Sequence, residues 1–173
     1  MLDTFRSHGH TNLDTSSMYP FSEDRLGKAG APGKFTIHTK VLSGFPGAHQ
    51  ASKVQESIEK SLHDLQTSTV ETMFLHVPDR ETPFEETAKA MNEAFQQGKF
   101  KHFGLSNYTA QEVQEFVDIC KENGYVRPSV YQGHYNALAR KGEKELFPVL
   151  RKNNIAFFGF RYVSKAIGAE IPS

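Results

Sequence analysis

β-rich runs recur along this chain at roughly thirty-residue intervals, and the stretches between them read as helices with marked ends. No other feature narrows the fold as much. The runs are "TNLDT" (11–15), "FTIHTK" (35–40), "VETMFLHV" (70–77), "FKHFGLSN" (100–107), "SVYQGHYN" (129–136) and "IAFFGFR" (155–161). Ser52, with Gln55 three residues on, reads as a capping box ahead of Val54, Ile58, Leu62 and Leu65. Thr82-Pro83-Phe84-Glu85 combines a capping box with proline at the first helical position, and Gly98 is a natural stop. Thr109 and Glu112 repeat the pattern before Val113, Phe116, Val117 and Cys120, with Gly124 as terminator. Leu146, Val149 and Leu150 mark a further helix. Strands joined by crossovers long enough for a helix are βαβ units, which build a parallel sheet, either open and doubly wound or closed as a barrel. No glycine-rich dinucleotide fingerprint follows any strand, which counts against the open form. The fold class is therefore α/β, with residues 1–173 as a single domain and no linker or low-complexity segment.

Polar residues stand where these strands end. Asp14 ends the first, Lys40 the second and His76 the third; Ser106 and Asn107 end the fourth, and the fifth runs through Gln132 to Tyr135. In parallel α/β architectures the C-terminal strand ends share one face, so these groups would share a rim. Tyr19 follows Asp14 by five residues. A free tyrosine titrates near pH 10, and an adjacent ammonium lowers that value by favouring phenolate. Aspartate holding lysine, and lysine acidifying tyrosine, would make a proton relay, with His76 orienting a carbonyl oxygen from a second side. Singly, each residue has an ordinary reading as a turn, cap or core-edge group; the joint placement carries the site.

Charge and cysteine content exclude other classes. Twenty Lys and Arg balance twenty Asp and Glu, and no like-charged run suggests a nucleic-acid or anionic-membrane surface. The single cysteine, Cys120, permits no internal disulfide, sits on an apolar helix face and suits a reducing compartment. No apolar run is long enough to span a bilayer, and "MLDTFRSHGH" lacks the apolar core of a secretion signal. A soluble cytoplasmic protein is expected. His8 and His10 have no partners at metal-site spacing and read as helix-end and turn residues, so no metal site is expected.

These motifs resemble the aldo-keto reductase family, and within it the aflatoxin-aldehyde reductase branch. "GHTNLDTSSMY…SEDRLG" is similar to the family's Asp-and-Tyr motif, "TIHTK" to its lysine strand and "FLHVPD" to its histidine strand. "GKFKHFGLSNY" resembles its Ser-Asn segment and "VYQGHYN" its Gln-and-Tyr segment. The resemblance implies a (β/α)₈ barrel that binds NADPH and reduces small aldehydes or ketones to alcohols. It implies Tyr19 as proton donor, Lys40 and Asp14 as the pair that tunes it, and His76 as the group orienting the carbonyl. Ser106, Asn107 and Gln132 would hold the nicotinamide carboxamide, Tyr135 would stack on the ring, and Met18 and Phe45 would line the substrate pocket unless they only pack.

The chain departs from the family in length. A full barrel takes about 250 residues, whereas this chain has 173 and corresponds to about strands two to seven, truncated at both ends. "IAFFGF" resembles the seventh strand, and the text then departs into "RYVSKAIGAEIPS". The expectation is an incomplete barrel with weakened NADPH binding and open edges prone to self-association. The alternative function is a catalytically silent, reductase-like barrel with a binding or regulatory role.

Overall fold

The computed structural model describes residues 1–161; the divergent stretch beyond Arg161 lies outside them. Among the described residues six strands and six α-helices alternate. They are α1 (Leu2–Ser7), β1 (Asn12–Asp14), α2 (Ser22–Lys28), β2 (Thr36–Val41), α3 (Ala51–Leu65), β3 (Val70–Leu75), α4 (Phe84–Gln96), β4 (Phe100–Ser106), α5 (Ala110–Asn123), β5 (Val130–His134), α6 (Leu146–Lys152) and β6 (Ala156–Phe160). All six expected strands form, each within two or three residues of its expected ends.

The sheet is wholly parallel and its strand order is the chain order, β1 to β6. Sequential order without reversal is the arrangement of a barrel wall, not of a doubly wound sheet. The wall is curled. Gln132 on β5 reaches back to Asp14 on β1 (2.9 Å), and the rings of His38 on β2 and Phe158 on β6 meet edge to face at 5.6 Å. The architecture is an incomplete (β/α) barrel.

Alternate strand residues face opposite ways. Ile37, Met73, Leu75, Phe103 and Leu105 belong to the buried apolar core shared with Val54, Ile58 and Leu62 of α3, Met91 of α4 and Phe116 of α5. Burying each large side chain contributes about 1.5–3 kcal/mol. The other face holds a register row, Lys40 opposite Phe74 opposite Gly104. A Cβ on Gly104 would collide with the Phe74 ring, so this glycine makes the room that Phe74 fills.

Helix ends follow local signals only where no tertiary group competes. At α5 the expected capping box forms in full, with Thr109 Oγ1 accepting from Glu112 N (3.2 Å) and Glu112 Oε2 accepting from Thr109 N (2.8 Å). Gly124 ends α5 at φ 68° and Gly98 follows α4 at φ 73°, both as expected. The Ser52–Gln55 box does not form. Helix α3 starts two residues earlier, with Gln50 at the cap position, and its Ala51 N–H is held by Glu86 Oε1 from α4 at 2.8 Å. At α4 the cap position falls on Pro83, and Thr82 donates its hydroxyl to Asp79 Oδ2 (2.7 Å) instead of capping the helix.

Candidate active site

Parallel pairing delivers the C-terminal ends of β1 to β5 to one rim, where a cavity of about 610 Å³ opens. Asp14, Tyr19, His76, Ser106, Asn107 and Gln132 all line it, together with His134, Phe160 and Arg161. Lys40 lies at the inner side of Asp14 with its side chain fully buried.

The lysine is closed off by its partners. Its ammonium donates to Asp14 Oδ1 (2.8 Å), Asp14 Oδ2 (2.7 Å) and the Thr15 carbonyl oxygen (2.8 Å), which uses all three protons. The Tyr19 and Phe74 ring centroids stand 5.4 and 5.8 Å from Nζ. Burial pulls the Lys40 ammonium below the ordinary lysine value, and Asp14 opposes that fall.

Tyr19 corrects one expectation. Burial first, and then the Asp14 carboxylate, push its phenol above the ordinary tyrosine value, the opposite direction to the expected acidification. The ammonium is committed to Asp14 and Thr15, and no hydrogen bond joins it to the Tyr19 hydroxyl among the described residues. Tyr19 remains 42 % exposed, open to the cavity and to water. Its ring meets His76 edge-on, with centroids 5.9 Å apart. Burial, and secondarily the Lys40 charge, hold His76 below the ordinary histidine value against the pull of Asp14, which favours a neutral ring.

Three amide and hydroxyl groups face the same space. Asn107 takes the left-handed conformation at φ 64°, a region asparagine tolerates better than most residues. From there its amide donates to the His76 carbonyl oxygen (2.9 Å) and to Ser106 Oγ (3.1 Å). Gln132 Nε2 is held by Asp14. The Asn107 and Gln132 amide oxygens are thereby left as acceptors, and the Ser106 hydroxyl keeps its proton to donate. A carboxamide needs two acceptors for its NH₂ and a donor for its oxygen. The donor set therefore fits the nicotinamide end of a dinucleotide.

Three expected residues are not brought to this cavity. Tyr135 turns to the helix side, where its hydroxyl donates to Glu143 Oε1 (2.6 Å) and its ring packs on Phe147 and Phe157. It lies one residue beyond the end of β5. Besides Tyr19, the cavity is lined by the ring of Phe160, stacked on His134 with centroids 5.7 Å apart. Counting by two from Gln132 reaches His134, which was legible on that basis; its register partner Phe160 follows only from the strand pairing. Met18 and Phe45 lie on the loops after β1 and β2, 42 % and 45 % exposed, and do not line the cavity.

Elsewhere, Cys120 is fully buried, and burial pushes its thiol up to about 12. Among the described residues no helix is long and apolar enough to cross a membrane, and no cluster of His, Cys, Asp and Glu has metal-binding geometry.

The aldo/keto reductase family model matches residues 1–168. An aldo-keto reductase of Pseudocercospora fijiensis is 40% identical over 167 residues, covering 92% of this chain and 56% of the relative. Human aldo-keto reductase family 7 member A3 is 40% identical over 165 residues, covering 90% of this chain and 49% of that protein. Human aflatoxin B1 aldehyde reductase member 2 is 40% identical over 163 residues, covering 90% and 45%. The chain thus spans about half the length of the curated relatives it matches. A solved structure assigned as a 2,5-diketo-D-gluconic acid reductase B superposes with a TM-score of 0.81 at 20% identity, over 94% of this chain and 56% of that one, and supports the barrel fold. With a family match across nearly its whole length and an incomplete barrel carrying the expected strand-end residues, the chain belongs to the aldo/keto reductase family.

Proposed function

We propose that this chain carries the acid–base and nicotinamide-facing part of an NADPH-dependent reductase that converts small aldehydes or ketones to alcohols in the cytoplasm. The observation that carries the reading is the single cavity shared by Tyr19, His76 and Asp14 with the carboxamide-matching set Ser106, Asn107 and Gln132. NADPH, when bound, supplies hydride to the carbonyl carbon. Ser106, Asn107 and Gln132 would hold the carboxamide, and Phe160 offers an aromatic face in the same cavity. The Tyr19 hydroxyl gives its proton to the carbonyl oxygen as negative charge develops there. A raised phenol pKa does not prevent this step, because an alkoxide is a far stronger base than a phenolate, and a high pKa keeps the phenol protonated. His76 orients the oxygen from the other side, and Lys40, held by Asp14, places a positive charge beside the Tyr19 ring. Solvent reaches exposed Tyr19 to restore its proton.

Tyr19→Phe removes the proton and keeps the ring. Turnover of a small aldehyde should fall by about 10²–10⁴-fold with cofactor binding retained. Turnover unchanged in this variant would overturn the proposal.

A second reading rests on the sheet edges. Among the described residues β1 and β6 have a neighbour on one side only, and such edges pair readily with another chain. A silent, self-associating barrel would show no turnover and a discrete oligomer in light scattering.

A further inference from the structure

The segment from Thr15 to Ser17 does more than join β1 to Tyr19. Thr15 accepts from the Lys40 ammonium, and Ser17 Oγ donates to the Lys40 carbonyl oxygen at 3.0 Å. Between them Ser16 turns toward β3. It is fully buried, its Oγ lies 3.0 Å from His76 Nδ1, and it accepts the Met18 N–H at 3.1 Å. His76 Nε2 makes no hydrogen bond among the described residues, on a ring that lines the cavity.

A neutral imidazole carries one proton, on either nitrogen. With the proton on Nδ1, Nε2 would present a lone pair to an incoming carbonyl oxygen and repel it. With Ser16 donating to Nδ1, the proton sits on Nε2, where it can be donated to that oxygen. Accepting the Met18 N–H polarises the Ser16 hydroxyl and strengthens it as a donor. Asn107, bonded to the His76 carbonyl oxygen at 2.9 Å, steadies the backbone that carries the ring.

We propose that Ser16 is a positioning residue that keeps His76 in the Nε2–H form, its donor proton facing the cavity. The catalytic consequence rests on the reductase reading; the hydrogen bond and the tautomer do not.

The test is a long-range ¹H–¹⁵N spectrum of histidine-labelled protein at pH 8, with His76 identified among the eight histidines by loss of its signals in His76→Gln. The proposal expects a proton on Nε2 and a hydrogen-bonded, pyridine-type Nδ1. In Ser16→Ala the Nδ1 resonance should move downfield toward the unbonded value, and Ser16→Thr, which keeps the hydroxyl, should restore it. Thermal melts establish that each variant is folded. A wild-type proton on Nδ1, or a Ser16→Ala spectrum matching wild type, would overturn the assignment. With an aldehyde substrate, kcat of Ser16→Ala should drop roughly tenfold, the scale of one orienting hydrogen bond, with cofactor KM unchanged. The spectrum requires no turnover. The expected tautomer in a protein that reduces no carbonyl would uphold the role of Ser16 and overturn the reductase reading.

Discussion

Gln132 Nε2 donates to Asp14 Oδ1 at 2.9 Å, although the residues lie 118 positions apart in the chain and four strands apart in the sheet. One carboxylate thus serves two ends of the curled wall, holding Lys40 from β2 and Gln132 from β5. Asp14 is both the lysine's counter-ion and a tie across the barrel mouth.

Removing that carboxylate should uncover the lysine's cost. Asp14→Ala leaves a buried ammonium with only the Thr15 carbonyl, and should destabilise the fold by about 2–3 kcal/mol. This is less than for a fully buried pair, because the Asp14 side chain is 42% exposed. Adding Lys40→Met removes the orphan charge and should recover part of the loss. Urea unfolding of both singles and the double checks this; simple additivity would contradict it.

Acid should weaken the protein through its histidines. Burial pushes His49, only 1% exposed, down to about 4, with Asp79 opposing, whereas the unfolded side chain titrates near 6.5. Between those values the unfolded chain binds the extra proton, so stability is full above about pH 6.5 and declines as pH falls toward 4, by on the order of 3 kcal/mol from His49. His38 and His76 shift in the same direction, and buried Glu23 in the other, its carboxyl raised by burial. Denaturant midpoints against pH for wild type and His49→Gln isolate the single group. Parallel curves would sink the assignment.

The two capping motifs should separate under mutation. Thr109→Ala breaks a formed box and should lose about 1 kcal/mol. Ser52→Ala should stay within about 0.5 kcal/mol of wild type, because Ser52 is exposed and Glu86 holds the α3 terminus. Equal losses in chemical denaturation would contradict this.

That contrast shows what the sequence made legible. The capping pattern at Thr109 and the glycines at 98 and 124 act through neighbours in the chain, so they could be read directly. Ser52 has the same letters, but Glu86, 35 residues from Ala51, supplies the α3 contact. Asp14, Tyr19, His76, Ser106, Asn107 and Gln132 were legible because parallel strands deliver their ends to one rim. Tyr135 lies one residue beyond β5, where its hydroxyl donates to Glu143, a partner the strand pattern does not announce. The link from Ser16 to His76 spans 60 residues and involves a commonplace side chain, so nothing local announced it. The upward shift of the Tyr19 phenol comes from burial and from the Asp14 carboxylate, which only coordinates reveal.

Close helix contact gives a last prediction. A Cβ on Gly27 of α2 would strike the Asp64 carbonyl oxygen of α3, a backbone atom that cannot swing aside. Gly27→Ala should therefore lose about 1–3 kcal/mol despite alanine's better helix propensity. A raised melting temperature would contradict this.

The Phe74 ring occupies the volume that any side chain at position 104 would need, directly beside the Lys40 ammonium. The two positions therefore cannot drift independently through descent. A lineage can enlarge residue 104 only after residue 74 has shrunk; the opposite order passes through an intermediate that pushes an aromatic ring against the buried charge. Substitution history along this row is thereby directional, with the route between two acceptable pairs open from one side and closed from the other.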